Sequence, residues 1–349
     1  MITSKVRITS KLSLASKMRI VDKMNLLSGG GHHSNGSKKN LPRVLTRYGG
    51  KGNLMGKYMP YIKMIAEQAS CDTFIDLFGG GASATFASMT IRDQFTNRQF
   101  KRIIYNELEL SVAKTFEVVK DKEKCPDLIR RLIKTPYSRE AFDVATAYLN
   151  HLNTTGNGGD NDVMIAWAEI VNNRLSYNGA GKNFRDFRKY NCKNKYIDYE
   201  ESFRRSSRRL TKANEALQDV EIRQGDYSVT LDEFKNDPKA FFFIDPPYLD
   251  VERAKNAENV YRHEFTKDDH MKLLQRLSEC QHWMLCGYRG IAEPDGKGKC
   301  RDTGKASEIY DFIESIPGVQ RIDLGLVWKP SSGKKRSESG SHEFIWVRA

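Results

Sequence analysis

Asp245-Pro246-Pro247-Tyr248 sets a carboxylate, two rigid rings and a phenol on consecutive residues. Such a set suits a flat ring that bears an amine. Tyr248 offers a stacking face, and Asp245 with the Pro246 carbonyl offers acceptors for an NH2 group. A plain strand-to-loop turn that uses proline as a stop would contain the same dipeptide, so the neighbouring motifs must decide between the two. Ala240-Phe241-Phe242-Phe243-Ile244 leads in, an apolar run of strand length. Pro247 cannot continue a central strand, and the residue ahead of a proline favours extended geometry. Asp245 is therefore expected at the carboxyl end of a strand, where open α/β sheets bind their ligands.

Four other stretches offer chemistry of a compatible kind. Cys71 to Asp76 runs as a strand into Leu77-Phe78-Gly79-Gly80-Gly81, and a helix of small residues is expected from Ala82 to Ala87. A strand, a glycine turn and a helix bring a nucleoside-containing ligand against backbone and helix N-terminus. The spacing is not G-x-G-x-x-G, so a dinucleotide is not indicated. Arg102 to Glu107 forms a second strand that ends in an acid, placed to bind ribose hydroxyls. Val220 to Gln224 forms another, ending in Gly225-Asp226-Tyr227. Ahead of them all, Tyr48-Gly49-Gly50-Lys51 is a glycine-rich loop with one cation for a carboxylate or phosphate. It lacks the Walker A spacing.

The elements that must position these groups alternate strand with helix on either side of a different kind of region, which predicts a doubly wound α/β sheet with a mainly helical insert. The chain divides into a basic N-terminal extension (1–40), two parts that carry the strand-end motifs (41–109 and 215–349) and the helical insert between them (110–214). In the insert, Phe203, Leu210 and Leu217 fall at heptad spacing and predict one helix with a buried stripe. Thr266 is placed to cap a helix that carries Met271, Leu274 and Leu277. Gly296–Lys299 and Ser331–Arg336 read as basic loops, and Glu343 to Val347 as a closing strand.

The net charge of +13 argues for a polyanionic partner. Asn172 to Lys212 alone holds twelve Lys/Arg against four acids. These charges interleave with Tyr177, Phe184, Phe187, Tyr190, Tyr196 and Phe203, which suits phosphate contacts and base stacking. No stretch approaches the roughly 20 apolar residues of a membrane helix. The six cysteines form no C-x-x-C pair, and the histidines fall in no metal-ligand spacing, so reduced thiols and no metal site are expected.

In this order the motifs resemble the D12 class of DNA adenine-N6 methyltransferases, the Dam-like family, over roughly residues 41–349. Asp245-Pro246-Pro247-Tyr248 is similar to the family's catalytic tetrapeptide, and Asp76 to Gly81 to its first-strand glycine motif. Asn106-Glu107 resembles its second-strand acidic motif, with Glu107 for the commoner aspartate, and Ala82 stands where many members have glycine. Asn173-Arg174 through Tyr177-Asn178-Gly179 resembles its target-recognition element.

The resemblance implies S-adenosylmethionine as cofactor and a Rossmann-like class I methyltransferase fold. It implies cofactor contacts from Tyr48, Gly49, Lys51, Asp76, Phe78, Gly80, Glu107, Asp226, Tyr227 and Asp245, with Lys51 facing a carboxylate of the bound molecule. Asp245, Pro246 and Tyr248 are the implied catalytic residues, acting on an adenine flipped from double-stranded DNA. Arg174, Tyr177, Asn178, Lys182, Arg185, Arg188 and Lys189 are the candidate DNA contacts. A cytoplasmic setting in a bacterium or phage host is expected ahead of organellar targeting by residues 1–40, and a restriction endonuclease is a candidate partner. An RNA or cytosine-N4 substrate, and a nucleic-acid-binding relative without activity, are the alternatives left open.

Overall fold

Five consecutive apolar residues make a stable strand only if both faces are covered, and Ala240–Ile244 are buried throughout. The computed structural model describes residues 41–47, 50–156, 161–176, 187, 198–249, 265–288, 290–294, 300–306, 308–328 and 340–349. Within these the strands are β1 (Thr73–Asp76), β2 (Arg102–Glu107), β3 (Val220–Gln224), β4 (Ala240–Ile244), β5 (His282–Gly287), β6 (Gly290–Pro294), β7 (Cys300–Ala306), β8 (Val319–Trp328) and β9 (Gly340–Arg348). Seven of them form one sheet in the order β3-β2-β1-β4-β5-β9-β8, and β6 pairs with β7 apart from it. β1 to β5 are parallel to their neighbours, and β9 runs antiparallel between β5 and β8.

The helices are α1 (Met55–Ala69), α2 (Ser83–Ser88), α3 (Leu110–Lys120), α4 (Lys124–Lys134), α5 (Arg139–Thr155), α6 (Asp162–Leu175), α7 (Tyr199–Arg208), α8 (Leu210–Leu217), α9 (Tyr227–Phe234), α10 (Lys267–Glu279) and α11 (Ile309–Glu314). The two-residue period of β4 sorts the core. Phe241 and Phe243 join Phe74, Phe100 and Tyr58 on one side of the sheet. Ala240, Phe242 and Ile244 join Leu273, Leu277 and Trp283 on the other.

From β2 to β3 the described chain is helical. Two local expectations need correction there and nearby. Phe203, Leu210 and Leu217 are all buried, but on two helices that break at Arg209. α5 is started by Ser138 accepting from Ala141 N and runs through Thr155. α2 begins at Ser83, because Ala82 adopts the left-handed conformation at φ 58°. Thr266 does cap α10, in a reciprocal box with Asp269.

Candidate active site

The sheet reverses its winding between β1 and β4, and that is where the crevice of an open α/β sheet forms. Here it is a cavity of about 480 Å3. Asp76 ends β1 beside Phe243 of β4, so Asp76 and Asp245 project from adjacent strand ends into the same space. Glu107 reaches it from β2, and Asp226 and Tyr227 from the turn after β3.

The glycine turn is shaped by contact as well as by dihedral angle. A Cβ on Gly79 would lie 2.2 Å from the Tyr105 ring. Tyr105 donates its hydroxyl to Gly80 O at 2.8 Å, and Gly80 is left-handed at φ 50°. Gly80 N donates to Glu107 Oε2 at 2.9 Å, and Glu109 N donates to Glu107 Oε1 at 2.8 Å. Burial pushes the Glu107 carboxyl up, with Arg47 opposing. Asp76 is 1% exposed and accepts from Thr85 Oγ1 at 2.7 Å and Thr85 N at 3.2 Å. Burial raises it to about 7 against those hydrogen bonds. Phe78 stacks on Tyr227 with centroids 5.1 Å apart, and Phe265 meets both edge-on, forming an aromatic wall. Asp226 caps α9 through Ser228 N.

Around Asp245 the groups are tied together. Lys51 Nζ lies 3.1 Å from Asp245 Oδ1 and 3.5 Å from Glu343 Oε1, and 4.3 Å from the Tyr248 ring centroid. Lys51 thus faces two carboxylates of this chain. Tyr248 and Tyr58 both donate to Glu343 Oε1, at 2.8 and 2.6 Å. Tyr248 is 5% exposed, with Lys51 over its ring and Tyr288 edge-on at 4.5 Å, so its face is covered where an open stacking surface is expected from the sequence. His270 Nε2 of α10 lies 3.0 Å from Pro247 O and steadies the loop from below. Burial and Glu343 push the Asp245 carboxyl up, and Lys51 pulls it down.

Asn173 and Arg174 also take a different place from the one expected. Asn173 accepts from Thr46 N at 3.0 Å and donates to Thr46 O at 2.7 Å. The Arg174 guanidinium donates to the carbonyls of Arg43 and Val44, both at 2.8 Å. Through Nη2, Arg174 is therefore a clamp on the segment entering the Lys51 loop. Arg47 completes the clamp, 2.6 Å from Glu109 and 3.7 Å from Glu169 of α6. Tyr48, Gly49, Tyr177, Asn178, Lys182, Arg185, Arg188 and Lys189 lie outside the described residues, as do residues 1–40 and the loops Gly296–Lys299 and Ser331–Arg336.

Three residues of the site escape sequence reasoning. His270 invites only the question of metal binding, Glu343 reads as the start of a strand, and Tyr58 as part of a helical pattern. An acid opening an otherwise apolar strand, Glu343-Phe344-Ile345-Trp346-Val347, is the one available signal.

The sheet order, with β9 antiparallel between β5 and β8 and a crevice at the β1/β4 reversal, makes this a Rossmann-like class I methyltransferase fold. Residues 48–322 match the model of the D12 class N6 adenine-specific DNA methyltransferases, and the chain belongs to that family. It is an S-adenosylmethionine-dependent, adenine-specific DNA methyltransferase by that membership. The chain matches no curated protein. Among solved structures it is similar to a protein from Klebsiella pneumoniae assigned as an O-methyltransferase, at 9% identity over 94% of this chain and 96% of that one, with a TM-score of 0.31. It is also similar to the rRNA methyltransferase AviRa from Streptomyces viridochromogenes, at 12% identity over 80% and 76%, with a TM-score of 0.30. Likeness at these values adds nothing to the reading of the site. Among the described residues no helix is long and apolar enough to cross a membrane.

Proposed function

We propose that the β1/β4 crevice binds S-adenosylmethionine and that Asp245 orients the amine of an adenine flipped out of double-stranded DNA. One observation carries the reading. The Asp245 carboxylate stands at the strand reversal, followed by a rigid Pro246-Pro247 turn and held by Lys51 at 3.1 Å.

The residues present fit the cofactor. The glycine turn admits backbone approach only because residue 79 has no Cβ to strike Tyr105. Glu107 would hold the ribose hydroxyls, Asp76 the amino-acid ammonium, and the Phe78–Tyr227 wall with Asp226 the adenine ring. When bound, the cofactor supplies an electrophilic methyl group on a sulfonium centre.

Asp245 and the Pro246 carbonyl accept hydrogen bonds from N6, which fixes the amine and aims its lone pair. The carboxylate also favours the positive charge that develops on N6. Tyr248 bounds the base pocket, and a base stacking on it must displace the edge of Tyr288. Residues 110–214 carry target recognition in this reading, with DNA phosphates met by Lys182, Arg185, Arg188 and Lys189. A DNA substrate goes with a cytoplasmic setting in a bacterium or phage host.

The test is transfer of labelled methyl from S-adenosylmethionine to duplex DNA, with modified bases read by single-molecule sequencing. N6-methyladenine in a defined sequence context is the expected product. Label on RNA or on cytosine N4, or none at all, would overturn the assignment.

A further inference from the structure

We propose that Glu343 is a positioning residue for methyl transfer: from β9 it shares Lys51 with Asp245 and anchors Tyr248. The inference rests on the methyl-transfer reading above and adds to it a residue on the antiparallel strand, away from the motif-bearing strand ends.

The geometry is that of a hub. One oxygen, Oε1, collects the Tyr58 hydroxyl from α1 at 2.6 Å, the Tyr248 hydroxyl at 2.8 Å and the Lys51 ammonium at 3.5 Å. Glu343 is 0% exposed, and Oε2 is buried with no hydrogen-bond partner among the described residues. A buried carboxylate that spends one oxygen on three donors and leaves the other idle is costly unless those donors must be held together. Its backbone is not adjustable, because the next residues pair with Gly287 and Cys286 of β5.

The electrostatic consequence falls on Asp245. Coulomb attraction scales inversely with distance, so carboxylates at 3.1 and 3.5 Å draw on the Lys51 charge almost equally. With Glu343 neutral, the whole ammonium charge would fall on Asp245 and weaken it as an acceptor for N6–H. Facing Asp245 are Lys51, Tyr58 of α1, Asp76 of β1, Tyr248 of its own loop, Cys286 of β5 and Glu343 of β9. Glu343 is the one anion among them tied directly to both Lys51 and Tyr248.

Glu343→Gln removes the charge and keeps an oxygen acceptor for the phenols. We expect kcat to fall at least about tenfold, while KM for duplex DNA and the cofactor Kd stay within about twofold. The acid limb of the kcat–pH profile should move to lower pH, since an anion that raises the Asp245 carboxyl is gone. Tyr248→Phe, which removes one donor and no charge, should lower kcat about three- to tenfold without that downward move.

A folded Glu343→Gln protein with kcat within twofold of wild type overturns the proposal. So does a loss of kcat with an unmoved acid limb, which marks a merely structural role. If Glu343→Gln does not fold, wild-type kcat in Tyr248→Phe overturns it. Absence of methyl transfer by the wild-type protein would overturn the underlying reading instead.

Discussion

Asp245 and Arg204 each stand opposite one partner of the other sign, and the pair with the shorter distance is the weaker one. Arg204 lies 2.6 Å from Glu200 on α7, with both side chains about two-fifths exposed. Asp245 lies 3.1 Å from Lys51, which is 6% exposed, at the floor of the crevice. Water screens the first pair and leaves it worth a few tenths of a kcal/mol. The second sits where neighbouring charges are felt in full, so removing one member disturbs the rest.

The helical region repeats the first pattern. Arg205 and Arg208 also meet Glu201 on α7, and Lys124 meets Asp162. A sequence stretch rich in arginine is therefore not by itself a free cationic face. Part of its charge is answered locally, and Arg174 is spent on backbone carbonyls. The sheet end teaches the converse: a few charges, desolvated together, shift one another's hold on protons.

The comparison breaks most sharply at Asp245. Asp245→Ala should cut methyl transfer at least about a hundredfold, the usual loss when a well-placed polar group leaves a transition state. The fold should survive, because Lys51 keeps Glu343 as a partner. DNA affinity should survive too. Near-wild-type turnover by this folded variant would remove Asp245 from the mechanism.

The helical side is probed by the cations outside α7. Neutralising Arg185, Arg188 and Lys189 together should weaken binding to any duplex and flatten the salt dependence by about one slope unit for each DNA phosphate no longer neutralised. An unchanged slope in a titration from low to high salt would place the DNA-binding surface elsewhere.

Asp76 tests the cost of desolvation at the strand ends. Its carboxyl is raised from 3.8 to about 7 in the fold. Its contribution to stability is complete below about pH 4, is lost as the pH rises to about 7, and is flat above. Asp76→Asn retains an acceptor for Thr85 and removes the titration, so its melting curves should gain on wild type across that window. The gain is at most about 4 kcal/mol, accompanied by weaker cofactor binding. Wild-type and variant melting temperatures that run parallel from pH 4 to 8 would show that burial does not tax this group.

The smallest effect belongs to the exposed pair. Arg204→Ala should change unfolding free energy by less than about 0.5 kcal/mol in a denaturant titration. A loss above about 1 kcal/mol would mean that the α7 pairs act as a network.

What the sequence determined by itself was local. Apolar runs stop at proline, glycine or an acid, and so β1 to β4 and the groups at their ends, Asp76, Glu107, Asp226 and Asp245, were legible one strand at a time. The tertiary structure decided what those groups face. Lys51, Tyr58, Tyr248 and Glu343 meet across nearly the whole chain, and no period or motif links residue 58 to residue 343. The strand order that sets β9 beside β5 is what brings them together. The inward turn of Arg174 was equally hidden, because an arginine on a basic stretch shows its charge in the sequence and its partner only in the fold. Strand ends follow from the chemistry of neighbouring residues. Partners follow from packing, which joins residues that the chain keeps far apart.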